Sequence, residues 1–460
     1  MSMSASRTTF AWATVLVAVG LSGSTRLHAG EPGPGEGHWP EWRGPQRNGV
    51  APGRAPVDWT DSEGVKWRVT IPGRGFSTPV IWGDRILLTT AVPTGEAPEP
   101  DPEPEGGRGR GRRGFGAGPV AEHSFEVHCL DRKSGKTLWK SVATVATPHE
   151  GHHGTYGSFA SNSPATDGER VYAFFGSRGM YCYDMEGELV WKRDFGVQMK
   201  MRRAFGEGTA PTLFDDTLVL SFDHEGDSFV VALDKRTGEV LWRKERDEIS
   251  AWATPLPVAH GGKKQVVVAA TGKVRSYALD SGAVLWECAG LGANVIPNPV
   301  LSGEMVIAMS GYRDPNLLAI QLGKEGDLTG SEAVRWTTPK GLSYTASPVL
   351  YEGRLYALMD GGFLSCFEAA SGNPIYVQQR LPRGSSFKAS PIIVGGRLYA
   401  ASENGDVHVI AAGDELEVIT TNSMGDEFFV ASPIVALDEL FLRSADELFC
   451  IASAVEESTR

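Results

Sequence analysis

The amino-acid sequence predicts an all-β fold, an eight-bladed β-propeller of four-stranded antiparallel blades with an N-terminal strand closing the last blade. Three observations carry this. A Ser, Thr, Asn or Ala followed by Pro and an apolar strand recurs at Pro79, Pro164, Pro211, Pro255, Pro299, Pro348, Pro391 and Pro433. A Gly stands four residues ahead of a Trp at Gly135–Trp139, Gly187–Trp191, Gly238–Trp242 and Gly282–Trp286. The last unit, ending soon after Phe449-Cys450-Ile451, lacks its outer strand.

The prolines are spaced at roughly 40 to 50 residues, the period of propeller blades, except for a longer first interval that holds an insertion. Pro at the start of a strand costs little, because the missing donor falls where pairing begins. The unit from Pro211 to Trp242 is a clear example. Leu218–Phe222 and Phe229–Leu233 are strands, Asp234–Gly238 supplies Asx and Gly residues for the turn, and Val240–Trp242 starts the outer strand. Gly372–Tyr376 is a variant of the Gly-to-aromatic step, and Trp336 is its counterpart in a looser blade. Repeated at one structural position, these rings read as wedges between blades rather than as a ligand platform. Val65-Lys66-Trp67-Arg68-Val69 is the simplest source of the missing strand, with Trp67 as the last docking ring and no edge left open. Seven blades remain the alternative if one unit is misread.

Around this propeller, assigned to residues 65–455, lie three other segments. Residues 1–29 read as a signal peptide, with Arg7, an apolar run from Phe10 to Leu21, and Leu27-His28-Ala29 at a cleavage point. The run is short for a membrane span. Residues 30–64 form an extended N-terminal region whose Trp39, Trp42 and Trp59 are expected to pack along the propeller wall. Residues 93–119 are read as a disordered insertion in the first blade, acidic at its start and Arg/Gly-rich at its end. The expected location is periplasmic or secreted, with no transmembrane segment after signal removal.

The 460 residues carry a formal net charge of -12, which argues against nucleic acid as a partner. Five cysteines do not make a disulfide framework. Cys129, Cys182, Cys366 and Cys450 share one repeat position, filled by Ala232, Ala278 and Ala319 in other units. A slot that accepts Cys or Ala is a small buried one, so five free thiols are expected. No dinucleotide fingerprint or phosphate-binding loop is present.

The Ala-Leu-Asp-x-x-Thr-Gly-x-x-x-Trp stretch, Ala232 to Trp242, resembles the pyrroloquinoline-quinone-like propeller repeat over nearly all of residues 65–452. With Trp42-Arg43-Gly44-Pro45 ahead of it, the chain resembles exported bacterial proteins of that type. The resemblance extends to the outer-membrane assembly propeller and, more distantly, to quinoprotein dehydrogenases. The second relationship would imply an axial quinone with Ca²⁺ and a catalytic Asp, and often an adjacent-Cys disulfide. No adjacent Cys pair occurs in the sequence.

A site would lie on the face formed by the loops entering each blade and those between its second and third strands. The candidates for axial binding are Arg74, Tyr156, Arg178, Arg203, Glu207, Arg246, Asp247, Trp252, Asn294, Tyr344 and Lys388. His149, His152, His153 and His224 are weak candidates for a metal. Asp223-His224-Glu225 lacks the partner Ser and geometry of a hydrolase. The expected function is an exported binding or scaffolding module for a protein, peptide or envelope component, without a cofactor and monomeric by default. The alternative is a pyrroloquinoline-quinone-dependent oxidoreductase of small alcohols or sugars, with calcium.

Overall fold

The computed structural model describes residues 37–96 and 120–453. The expected signal peptide and most of the expected insertion lie outside them. Eight sheets form the ring. Each expected proline immediately precedes an innermost strand, beginning at Val80, Ala165, Thr212, Leu256, Val300, Val349, Ile392 and Ile434. Each blade then runs outward through three further strands. In the third blade these are Thr212–Phe214, Thr217–Phe222, Ser228–Asp234 and Val240–Arg246, all antiparallel.

The eighth blade takes its outer strand from the N-terminal side. Val65–Thr70 pairs antiparallel with Glu447–Ala452, placing Trp67 opposite Cys450. Its indole then reaches the first blade, donating to the Arg132 carbonyl at 2.9 Å. Four other blades repeat this contact, through Trp139 to Met185, Trp191 to Lys235, Trp242 to Leu279 and Trp336 to Ala369. Each ring lies against the turn glycine of the next blade. A Cβ on Gly135, held at φ +71°, would stand 2.7 Å from Trp67. The glycine is required both by its left-handed backbone and by the ring that covers it. Trp286 departs from the pattern. The next blade replaces the short turn with a longer path that lays Gly326–Asp327 parallel to Val284–Ala289. Trp286 is buried with Leu328 and Ala333 and donates instead to Gln265 of its own blade.

All five cysteines are free and buried. Cys129, Cys182 and Cys366 stand directly opposite Trp139, Trp191 and Tyr376. The slot is small because the docking ring fills the space beside it. Ala278 is not in this slot; Ser276 is, opposite Trp286. The turn bond from Gly282 is made to Ala278, as that from Gly238 is made to Asp234. The fourth blade has two fewer residues between its Asp and Gly, so the turn geometry shifts the register by two.

Trp39 and Trp42 do not pack along the outer wall. His38–Trp39 pairs with the innermost strand of the first blade, and Val50–Ala51 runs parallel to that of the seventh. The segment between them crosses the axis. Arg43, nearly fully buried, donates to the Pro348 and Pro391 carbonyls. Arg47 pairs with Glu41 and donates to the Leu213 carbonyl. Gly44, at φ +75°, lies against the Trp39 ring. The Trp-Arg-Gly-Pro step is thus an axial plug tied to blades around the ring. Trp59 is buried beside Met424, to whose sulfur it donates.

Candidate functional site: a one-ended axial funnel

Above the plug the entering loops surround a cavity of about 420 Å³. Its floor and walls are largely aromatic and include Trp42, Phe76, Tyr156, Trp252, Tyr312 and Tyr344. Tyr312 and Tyr344 stack with ring centroids 5.0 Å apart. Such a cavity, apolar with a few convergent polar groups, is the usual form of a small-ligand site.

The polar floor follows from the recurring X-Pro step. Where X is Ser, Thr or Asn, its side-chain oxygen accepts the backbone N–H of the X residue in the preceding blade. Ser432 donates to Thr78, Thr78 to Ser163, Ser347 to Ser390, and Ser390 to Ser432. Ala210 to Thr254, Thr254 to Asn298 and Asn298 to Ser347 continue the belt. Ala210 has no acceptor of its own, so the belt breaks between Ser163 and Ala210. The Trp42 indole donates to Ser432 Oγ at 3.2 Å, fixing the plug to this belt.

One charged cluster borders the funnel. Lys388 lies 2.8 Å from Asp360 and 3.4 Å from Glu403, and its ammonium sits 4.7 Å from the centre of the Tyr156 ring. Burial works against the Lys388 charge, but Asp360 and Glu403 outweigh it and raise the pKa. Tyr156 is raised by burial first and by Glu403 next.

Of the residues singled out in the sequence, Tyr156, Trp252, Tyr344, Lys388 and His153 line the funnel. Asn294 stands behind it, with its amide 3.4 Å from the Tyr344 hydroxyl. Arg74 lies over Phe76 and donates to the Thr155 carbonyl. Arg203 is exposed and does not line the cavity. Arg246 and Asp247 are not axial. Arg246 ends the outer strand of the third blade, where it is buried in a two-point bond with Asp223 and reaches Tyr277 of the fourth. Asp247 is exposed beside Arg275.

Arg178 and Glu207 belong to a separate cavity of about 30 Å³ with His149 and Glu150. Arg178 donates to His149 Nδ1 at 2.8 Å, and His149 Nε2 donates to the Met199 carbonyl. Glu207 accepts from the Ser177 backbone and hydroxyl, both at 2.6 Å. Burial pushes its pKa up to about 7. The four histidines do not assemble as a metal site. His149 has both nitrogens engaged, His152 packs edge-on to Phe159, His153 stacks on Tyr156, and His224 Nδ1 accepts the Lys200 and Gly226 amides. Among the described residues no group of three or more His, Cys, Asp or Glu is arranged to hold a metal ion.

The charged groups beside the funnel are already engaged with one another. Pyrroloquinoline quinone is polyanionic, while the lining cation Lys388 is already matched by two carboxylates. Those same carboxylates, hard oxygen donors of the kind Ca²⁺ takes, are held by the lysine.

Trp42 as floor, Phe76 and Tyr312 as walls, and the hydroxyl belt were not singled out in the sequence. Tyr312 adjoins the Arg313-Asp314 pair in its loop, and the belt was written in the residue before each proline.

Residues 123–328 match the family model described as outer membrane protein assembly factor BamB. No curated protein matches the chain. Among solved structures, the quinohemoprotein alcohol dehydrogenase from Comamonas testosteroni aligns at TM-score 0.58 with 10% identity, covering 91% of this chain and 81% of that one. A europium-containing methanol dehydrogenase aligns at TM-score 0.57 with 10% identity, covering 91% and 98%. BamB from Moraxella catarrhalis is 19% identical over 63% of this chain and 94% of its own, at TM-score 0.41. At these identities the dehydrogenase likeness is one of fold. Over residues 123–328 the chain is similar to the matched family, and its eight-bladed ring is the fold of the pyrroloquinoline-quinone-like β-propellers it aligns with.

Proposed function

We propose that the chain is an exported binding module whose axial funnel seats a group projecting from a protein, peptide or envelope component, and that it works without a resident quinone. The observation that carries this reading is the one-ended aromatic funnel, floored by Trp42 of the N-terminal plug. A rigid ring with large, half-buried rings around a cavity is preorganised for binding, because little side-chain freedom is lost when a ligand enters. Lys388, Asp360 and Glu403 at the wall are paired with one another. A periplasmic or secreted location accords with the export signal read at residues 1–29.

The test is site-specific photo-crosslinking in the envelope of producing cells. A photoreactive phenylalanine at Tyr312, on the funnel wall, is expected to give a discrete adduct. The same group at Leu138, exposed on the outer strand of the first blade, is not. Adducts at Leu138 alone, or at neither position, overturn the reading.

A further inference from the structure

The chemistry of the funnel narrows its ligand further, on the premise that the funnel is the binding site. We infer that it takes a neutral oligosaccharide. The first observation is the floor. Thr78, Ser163, Ser390 and Ser432 line the cavity, each no more than 3% exposed. Each hydroxyl oxygen accepts a backbone N–H from the neighbouring blade. Among the described residues none of these four hydroxyls donates a bond, so the belt leaves four O–H donors at the floor of the cavity. A buried donor without an acceptor is costly, and a ligand rich in oxygen acceptors relieves it.

The second observation is charge. Lys388 is held between Asp360 and Glu403, so an anion meets a cation already matched. A cationic ligand finds the Tyr156 ring already covered by the Lys388 ammonium. His153, whose pKa is lowered first by burial and then by Lys388, adds no positive charge at neutral pH. The cluster therefore gives an anion no free cation and leaves the Tyr156 ring closed to a cation.

The third is the set of half-buried rings, Trp42, Trp252, Tyr312 and Tyr344, that line the cavity. Sugar rings present C–H faces to aromatic rings and oxygens at their rims. A peptide brings an N–H for every carbonyl, and a floor of donors leaves those N–H groups unmatched. A saccharide hydroxyl accepts and can turn its own hydrogen elsewhere.

The experiment follows tryptophan emission while the full chain is titrated with maltotriose, cellotriose and triacetylchitotriose, and in parallel with the blocked tripeptide N-acetyl-Ala-Tyr-Ala-amide. At least one saccharide is expected to give a saturable change. Its affinity should fall about tenfold in Tyr312→Ala and in Tyr344→Ala, and remain unchanged in Leu138→Ala. Gly208→Leu, which fills the funnel beside Trp252 at a position without a left-handed backbone, should abolish it while melting as the parent does. Saturable peptide binding with none by any saccharide overturns the inference and leaves the funnel as a binding site. Saccharide binding that survives Gly208→Leu overturns it as well. Binding by neither class, with no adduct at Tyr312, removes the binding reading itself.

Discussion

The Ser432 backbone N–H donates to Thr78 Oγ1 at 3.0 Å, joining the last blade to the first across 354 residues of chain. This bond belongs to the belt around the axis, beside the strand exchange that places Trp67 in the eighth blade. Closure is thus secured twice, at the axis by hydroxyl-to-amide bonds and at the rim by a Trp.

Thr78→Val removes the acceptor and keeps the shape. Ser432 is buried, so its N–H would be left without a partner at a cost of about 1–3 kcal/mol. Thr78→Ser keeps the oxygen and should cost less. Thermal midpoints of the two variants check this, and equal midpoints would mean that the belt is not stabilising.

Trp67→Ala removes the ring at the closing blade along with its bond to Arg132, and large-to-small changes at packed aromatics cost about 3–5 kcal/mol. Gly135→Ala should destabilise by a different route, through a strained left-handed backbone and a Cβ pressed on the Trp67 ring. The combined variant should lose less than the sum, since once the ring is gone the new Cβ has nothing to meet. Denaturant midpoints of the two singles and the double measure that coupling.

The blades were legible because each element repeats a physical requirement. Pro begins a strand, Gly turns it, and Trp covers the next Gly. The axial plug was not, because Trp42 and Arg43 take their roles from blades hundreds of residues away and do not repeat. The Ala278 register was misleading for a related reason. Ala278-Leu279-Asp280 matches Ala232-Leu233-Asp234 in letters, but the turn bond counts back from Gly282, and the letters slide by two. Arg246 looked axial because it adjoins an entering loop. It is instead the partner of Asp223, whose two carboxylate oxygens hold its guanidinium inside the blade.

The thiols provide a test of burial. Burial raises the Cys129, Cys182 and Cys366 thiols to about 12 and Cys288 to about 11. Thiolate is the reactive form, so native protein at pH 8 should be inert to a thiol-disulfide reagent. In denaturant all five thiols should react. Fewer than five would reveal a disulfide.

Glu207 should make stability fall as pH rises. Burial lifts its pKa from an ordinary value near 4.5 to about 7, Glu150 adds to the rise, and the Ser177 bonds oppose it. The folded state therefore holds the proton more tightly than the unfolded state. That contribution is complete below the unfolded pKa and is lost as pH climbs through about 7. Glu207→Gln keeps an acceptor for Ser177 and cannot ionise. Its thermal midpoint relative to the parent should rise between pH 5 and pH 8. A constant difference would mean that Glu207 titrates as an ordinary carboxylate.

Calorimetric titration with pyrroloquinoline quinone separates the binding module from a dehydrogenase on the same fold. In Ca²⁺ no saturable heat is expected, because the quinone's carboxylates meet a lysine whose charge is already matched by Asp360 and Glu403. Uptake near one quinone per chain, lost in EDTA, would instead make the chain a quinoprotein. Lys388→Ala sharpens the comparison. Without the ammonium, Asp360 and Glu403 lose the cation they share beside the funnel, a start on the oxygen-ligand set that Ca²⁺ prefers. Ca²⁺ heat in that variant and none in the parent would identify Lys388 as the group that occupies a cation's place.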